Sequence, residues 1–336
     1  MKLLVTGGAG FIGSHFIRYV LEAYPDDSVV NLDKLTYAGN LDNLRDVDEN
    51  ERYRFLHGDI CDPKAVEKAA EGCEAIVNFA AETHVDRSIV AAGSFLRTDV
   101  LGAHVLLEEA RRRGMERFVQ VSTDEVYGSI ERGSAKETDC LRPSSPYSAS
   151  KAGGDLQVLA AVKTYGTPAL ITRGSNTYGP FQYPEKLIPL FVTNGIEGKK
   201  LPLYGQGANV RDWVHVSDHC RGIDTVLRNG RPGEVYNIGA GNERRNKEVA
   251  LRILSEIGLG EDSIEYVKDR PGHDLRYSVD GSKLQALGWR PETPFEEGLR
   301  STIRWYRDNE WWWRKIKRGE GDFADWERRW YVERGL

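Results

Sequence analysis

The segment Gly7-Gly8-Ala9-Gly10-Phe11-Ile12-Gly13 constrains this chain more than any other stretch. The apolar run Leu3-Leu4-Val5 before it reads as a buried strand, and the pattern after it opens a helix. Three glycines between a strand and a helix have separate uses. Gly7 permits the tight turn, Gly10 lets a pyrophosphate approach backbone N–H groups, and Gly13 lets the helix pack closely. Such a turn belongs at the first strand of a sheet that binds a dinucleotide along one edge.

The rest of the first half keeps the same rhythm. Short runs rich in β-branched residues, LLVT, VVNLD, YRFLHGD, AIVNFAA, FVQVST and ALITR, alternate with amphipathic stretches. This alternation predicts an α/β chain with a Rossmann-type, doubly wound parallel sheet. Asp33 ends the second run, 20 residues past Gly13, where an acid hydrogen-bonds the adenosine ribose of NAD and repels the extra phosphate of NADP. Asp59-Ile60 and Ala80-Ala81-Glu82-Thr83-His84 end two further runs, and are expected to flank the adenine and to line the nicotinamide side. From Ser94 to Arg113, apolar residues recur near a 3.6-residue period, which predicts one helix packed on the sheet.

After about residue 175 the texture changes, with glycine and proline frequent, as in Leu201-Pro202-Leu203-Tyr204-Gly205 and Asp269-Arg270-Pro271-Gly272. The expectation is an NAD-binding domain over residues 1–175 and a smaller α/β substrate-binding region over residues 176–336, sharing a cleft and exchanging segments. Trp305, Trp311, Trp312, Trp313, Trp326 and Trp330 crowd the tail; they read as aromatic packing between helices, with no chemistry assigned.

Charge and cysteine content exclude several functions. A formal net charge of −5 leaves no footprint for a polyanion, and the one basic block, Arg111-Arg112-Arg113, ends a predicted helix where cations suit the dipole. Nucleic acid is not an expected partner. Cys61, Cys73, Cys140 and Cys220 are scattered without CxxC spacing, which suits reduced thiols in the cytoplasm. The apolar run at the N-terminus is too short for a signal peptide, and no segment reaches the length of a membrane span. His215 and His219 stand at a metal-ligand spacing without a third ligand, so they read as structural and no metal is expected.

Two further stretches carry chemistry. Val121-Ser122-Thr123-Asp124-Glu125 ends a buried run on a hydroxyl and two acids, at the strand end where ligands bind in an open sheet. Tyr147-Ser148-Ala149-Ser150-Lys151 begins a helical pattern whose four-residue spacing puts a phenol and an ammonium on one face. A nearby ammonium and the positive nicotinamide favour the phenolate, making Tyr147 a candidate base for a hydroxyl group.

Taken together, the glycine turn, Thr123 and the Tyr147/Lys151 pair resemble the extended short-chain dehydrogenase/reductase family over nearly the whole chain. AAETHVDRS, STDEVYG, YSASK, NTYGPFQYPEKLIPL, LPLYGQG, RDWVHVSDH and DRPGHD are similar to segments of its nucleotide-sugar 4,6-dehydrating branch. The resemblance implies a retained NAD, a nucleotide-sugar substrate such as dTDP-glucose, and a homodimer built through two helices per subunit. It adds Lys34, Leu35, Thr36, Thr98 and Thr177 to the cofactor contacts. It implies substrate contacts at His84, Thr123, Asn176, Lys186, Leu187, Pro202 and Tyr204. Arg211 and Asn246 would hold the diphosphate, and Asp269, Arg270 and His273 would close the nucleotide end.

A simple hydride-transfer enzyme needs Thr123, Tyr147 and Lys151 but has no use for two adjacent acids. The pair becomes intelligible if oxidation at C4 is followed by elimination across C5 and C6, with Glu125 as base and Asp124 as acid, and by return of the hydride to C6. A nucleotide-sugar 4-epimerase would not require both acids. A UDP-glucuronate decarboxylase would typically carry a Ser-Glu pair at these positions, and a non-catalytic NAD-binding sensor would need neither acid.

Overall fold

The computed structural model describes residues 1–318, 322–328 and 330. Six strands form where the β-branched runs lie: β1 (Lys2–Thr6), β2 (Ser28–Asp33), β3 (Tyr53–His57), β4 (Ala75–Asn78), β5 (Arg117–Thr123) and β6 (Ala169–Gly174). The second half contributes β7 (Asn176–Tyr178), β8 (Leu201–Tyr204), β9 (Val210–His215), β10 (Val235–Ile238), β11 (Glu243–Arg245) and β12 (Ile264–Val267). Seven of these make one sheet in the order β10-β6-β5-β4-β1-β2-β3, and every pairing in it is parallel. Strand β10 thus joins the sheet from far along the chain.

Both faces of this sheet are covered, which is why its strands read as nearly continuous apolar runs. Successive side chains alternate between the two cores. Leu3 and Val5 pack with Phe16, Ile17, Val20 and Ile223 from the helices Phe11–Ala23 and Val216–Asn229, whereas Leu4 packs with Leu106 and Val158 from the helices Ala103–Arg113 and Pro146–Tyr165. Full burial of each such side chain contributes about 1.5–3 kcal/mol.

The helix Pro146–Tyr165 begins where its sequence says it should. Ser145 and Ser148 form a reciprocal capping box, a proline occupies the first turn, and Gly166 ends the helix at φ 68°. The helix expected over residues 94–113 forms as one run with a different interior: a π-helical segment, Leu96–Gly102, separates Ala92–Phe95 from Ala103–Arg113. The wider turn brings Asp99 inward, where it accepts from the Ser150 hydroxyl at 2.6 Å and the Glu82 N–H at 3.2 Å.

Over the carboxyl edge of the large sheet lie a three-stranded sheet, β11-β9-β7, and the parallel pair β12-β8. The helices Leu187–Ile196, Asn246–Ile257 and Phe295–Asp308 enclose a separate core here, in which Tyr178, Phe191, Trp213, Trp312 and Trp313 are buried. Among the described residues no helix is long and apolar enough to cross a membrane.

Candidate active site

The strand ends of the large sheet open on a cleft of about 1250 Å³. Gly7, Gly10, Phe11, Ile12 and Gly13 form its floor, Asp33, Lys34, Thr36, Asp59 and Ile60 one end, and Ala80, Ala81, Glu82, Thr98, Tyr147 and Lys151 the other. Gly7 adopts φ 69°, and a Cβ there would meet the Ala80 nitrogen at 2.5 Å; one on Gly13 would meet the Gly7 carbonyl oxygen at 2.4 Å. At Gly10 a Cβ would meet, among the described residues beyond its chain neighbours, the Gly7 oxygen alone within 4 Å, at 3.2 Å, so the backbone stays bare toward the cleft. The helix that starts there has no side-chain cap and no acid in its first turn, which leaves its N–H groups to an anion. Asp33, 7% exposed, accepts from the N–H groups of Ala9 at 2.9 Å and Leu35 at 2.8 Å, tying the glycine turn to the end of β2. This donor set fits a dinucleotide.

Leu35 and Thr177 do not line the cleft. Leu35 turns the chain at φ 54°, and the Thr177 hydroxyl is engaged by His219 Nδ1 at 2.6 Å.

Where β5 ends, the Thr123 hydroxyl accepts the Glu125 N–H at 3.2 Å and donates to Asp124 Oδ1 at 3.3 Å, capping the single turn Asp124–Tyr127. Asp124 is 3% exposed. Burial, followed by the charge of Glu125, pushes its carboxyl up to about 8. Burial also raises Glu125, but Arg270, Arg211 and Lys186 all pull it back down. Tyr147 is held well above its ordinary value by burial and by the carboxylates of Glu125 and Asp99, with the Thr123 hydroxyl pulling the other way. Lys151, in the same cleft lining as Tyr147, spends one of its three donors on the Val121 carbonyl at 2.8 Å. The polypeptide by itself therefore keeps Tyr147 protonated.

A second cavity, of about 810 Å³, adjoins the first through Lys186. Glu125 stands in its wall, together with His84, Asn176, Leu187, Pro202, Tyr204, Arg211, Asn246, Arg270 and His273. Thr123 and Asp124 line neither cavity and are placed by their contacts with Glu125 and each other; Asp269 also stands outside both linings, with Oδ1 2.5 Å from His273 Nδ1. Several buried polar atoms make no hydrogen bond here among the described residues: Asn176 Oδ1, Asn246 Oδ1, Arg270 Nε and Asp124 Oδ2. A ligand rich in hydroxyl and phosphate groups would satisfy them. His215 and His219 lie outside both cavities, with Nδ1 atoms on Ser217 and Thr177.

Residues 4–302 match the family model described as GDP-mannose 4,6 dehydratase. The chain belongs to this family. It is a family of extended short-chain dehydrogenase/reductases. The chain is 53% identical over 322 residues to the dTDP-glucose 4,6-dehydratase of Streptomyces niveus, covering 94% of this chain and 96% of that one. The crystal structure of the Streptomyces venezuelae dTDP-glucose 4,6-dehydratase, with NAD bound, superposes with a TM-score of 0.93 at 56% identity, over 94% of this chain and all of the other. The corresponding Bacillus anthracis enzyme, in complex with NAD, gives a TM-score of 0.89 at 49% identity over 94% of this chain and all of the other. The family description names a guanosine sugar and these relatives a thymidine sugar, so membership alone does not select the base.

Sequence reasoning passed over Asp86, Glu185 and Tyr277, which also line the second cavity. The Tyr277 hydroxyl lies 3.3 Å from Glu125 Oε2 and donates to Asp274 at 2.8 Å. Glu185 accepts from Arg87 Nε at 2.8 Å and from the Tyr37 hydroxyl at 2.9 Å. Asp86 and Glu185 sit inside AAETHVDRS and YPEKLIPL, so the signal was an acid beside residues already singled out.

Proposed function

We propose that this chain is an NAD-dependent nucleotide-sugar 4,6-dehydratase, a hydro-lyase that converts dTDP-glucose to dTDP-4-keto-6-deoxyglucose. The observation that carries the reading is the junction at the end of β5, where one hydroxyl, one phenol and two carboxyl groups of different protonation meet between a dinucleotide cleft and a polar cavity. Relatives at about half identity over nearly the whole chain support dTDP-glucose as the substrate.

Gly7, Gly10, Gly13, Asp33, Tyr147 and Lys151 would hold NAD, which when bound would supply the acceptor for hydride from sugar C4, the donor for its return to C6 and, on its ring, a positive charge that favours the phenolate of Tyr147. Thr123 orients the 4-hydroxyl and Tyr147 takes its proton, the cationic ring offsetting the carboxylates that hold the phenol protonated. The 4-ketone acidifies C5–H. Glu125, the carboxyl surrounded by cations, removes that proton. Asp124, kept protonated by burial and by Glu125, donates to the departing 6-hydroxyl, so that water leaves, and C5 takes back a proton as the hydride returns to C6. Arg211 and Asn246 hold the diphosphate, with Arg270 and His273 toward the nucleotide. A 4-epimerase would leave the protonated Asp124 without a task.

The second copy of a homodimer would cover the outer face of the segments around residues 85–102 and the helix Pro146–Tyr165, where Val90, Leu96, Leu101 and Leu156 are exposed. Scattered free cysteines suit a cytoplasmic site of action.

Purified protein incubated with dTDP-glucose and no added cofactor should form a 4-keto sugar nucleotide. A product that appears only with stoichiometric NAD, with NADH accumulating, would instead mark a simple dehydrogenase.

A further inference from the structure

The tryptophans of the tail do more than fill space between helices, because two of them end on the wall of the substrate-side cavity. Trp326, in the helix Asp322–Glu327, meets the His84 ring edge-on with centroids 5.3 Å apart. Trp330 donates its indole N–H to the Tyr204 hydroxyl. His84 and Tyr204 both line the cavity. His84 is held at φ 83°, a conformation that a side-chain-bearing residue keeps only when its surroundings over-determine it. Tyr204 donates in turn to Asp86 Oδ2 at 2.9 Å, and Asp86 Oδ1 accepts from Arg270 Nη1 at 2.9 Å. Trp330, Tyr204, Asp86 and Arg270 thus form one chain of hydrogen bonds, leading from the tail to the guanidinium that faces the ligand.

We propose that the tail is a positioning wall for the nucleotide part of the substrate: Trp326 fixes the His84 ring, and Trp330 fixes Tyr204 and through it Asp86 and Arg270. This rests on the assignment of the cavity to a nucleotide sugar. Among the described residues, neither Trp326 nor Trp330 touches Thr123, Asp124, Glu125 or Tyr147, and the network meets the chemistry only through the charge of Arg270 on Glu125, so the tail acts first on affinity for the nucleoside diphosphate. Tyr204 is the coupling point, because its hydroxyl both accepts from the tail and donates to the cavity network.

The test compares wild type, Trp330→Phe, Tyr204→Phe, the double variant and Trp326→Leu. It uses calorimetric binding of thymidine diphosphate, KM and kcat with dTDP-glucose, and thermal melting. Trp330→Phe keeps an aromatic face but removes the N–H together with the five-membered ring, so binding should weaken and KM rise by about 3- to 10-fold, the range expected of one hydrogen bond, with kcat changed by less. Because Trp330 acts through Tyr204, the double variant should bind no more weakly than Tyr204→Phe alone. Trp326→Leu should likewise raise KM, and because Trp330 is buried its truncation should also lower the melting temperature, so binding and KM are measured well below the melting transition of each variant. Unchanged affinity and KM in both tryptophan variants would overturn the proposal, as would a loss confined to kcat. Failure of wild type itself to bind thymidine diphosphate would strike the assignment of the cavity rather than the role of the tail.

Discussion

Asp124 and Glu125 are adjacent in the chain yet occupy opposite electrostatic surroundings: the strongest charge acting on Asp124 is Glu125, whereas the strongest charges acting on Glu125 are Arg270, Arg211 and Lys186. A protonated acid and a cation-flanked base therefore stand side by side. Asp124→Asn keeps the shape and removes the donated proton, so C4 oxidation should survive while loss of the 6-hydroxyl slows. Glu125→Gln should instead abolish exchange of C5 hydrogen with solvent. Each loss should reach about 10²- to 10⁴-fold in dehydration, as general acid or base assistance is worth. Single-turnover kinetics with absorbance of the reduced cofactor separates the two, and equal dehydration rates in all three proteins would remove both roles.

The same burial links Asp124 to stability. Its carboxyl ionises near 3.8 in an unfolded chain and near 8 here, so between these values the folded protein keeps a proton that the unfolded chain releases. The contribution is full below the lower value, is lost as pH rises, and is gone above the upper one. Asp124→Asn does not titrate. Its melting temperature relative to wild type should therefore increase from about pH 5 to about pH 8, and a difference independent of pH would contradict the shift. Wild-type dehydration should fall as pH passes about 8, where Asp124 loses its proton.

Tyr147→Phe removes the group that takes the 4-hydroxyl proton, so no later step can begin. Rapid mixing with dTDP-glucose should show no reduction of bound NAD, although Thr123, Asp124 and Glu125 remain. Near-normal reduction would assign the base elsewhere.

The exposed leucines at 96 and 156 predict a change of assembly. Leu96→Glu and Leu156→Glu place charge on the apolar face at positions 55% and 56% exposed in one chain, where neither disturbs the core. Light scattering should report a dimer for wild type and a monomer for the double variant. A wild-type monomer would show that this face is not the interface.

The turn at Gly7 to Gly13 and the acid at the end of β2 are legible because they are backbone requirements written within a few residues of each other. Six of the seven sheet strands are legible, β1, β2, β4, β5 and β6 because burial on both faces leaves them largely apolar. Other features depend on what arrives from far away. Burial and the carboxylates of Glu125 and Asp99 hold the Tyr147 phenol up, and no spacing in the sequence reveals those neighbours. The π segment at Leu96–Gly102 has the same apolar period as a plain helix, and is set by the reach of Asp99 to Ser150 and Glu82. Tyr277 meets Glu125 across 152 positions of sequence, and Trp330 meets Tyr204 across 126. Tertiary packing alone makes those neighbours.

The central claim is that one hydride leaves C4 and comes back at C6 within a single active site, while Glu125 and Asp124 eliminate water between the two transfers. The most direct measurement uses dTDP-glucose carrying deuterium at C4, incubated in ordinary water without added cofactor, with the product examined by NMR and mass spectrometry. The account predicts a 4-keto-6-deoxy product that retains the deuterium at C6 and carries solvent hydrogen at C5. A product without deuterium at C6, or one epimerised at C4 with its 6-hydroxyl intact, would contradict it.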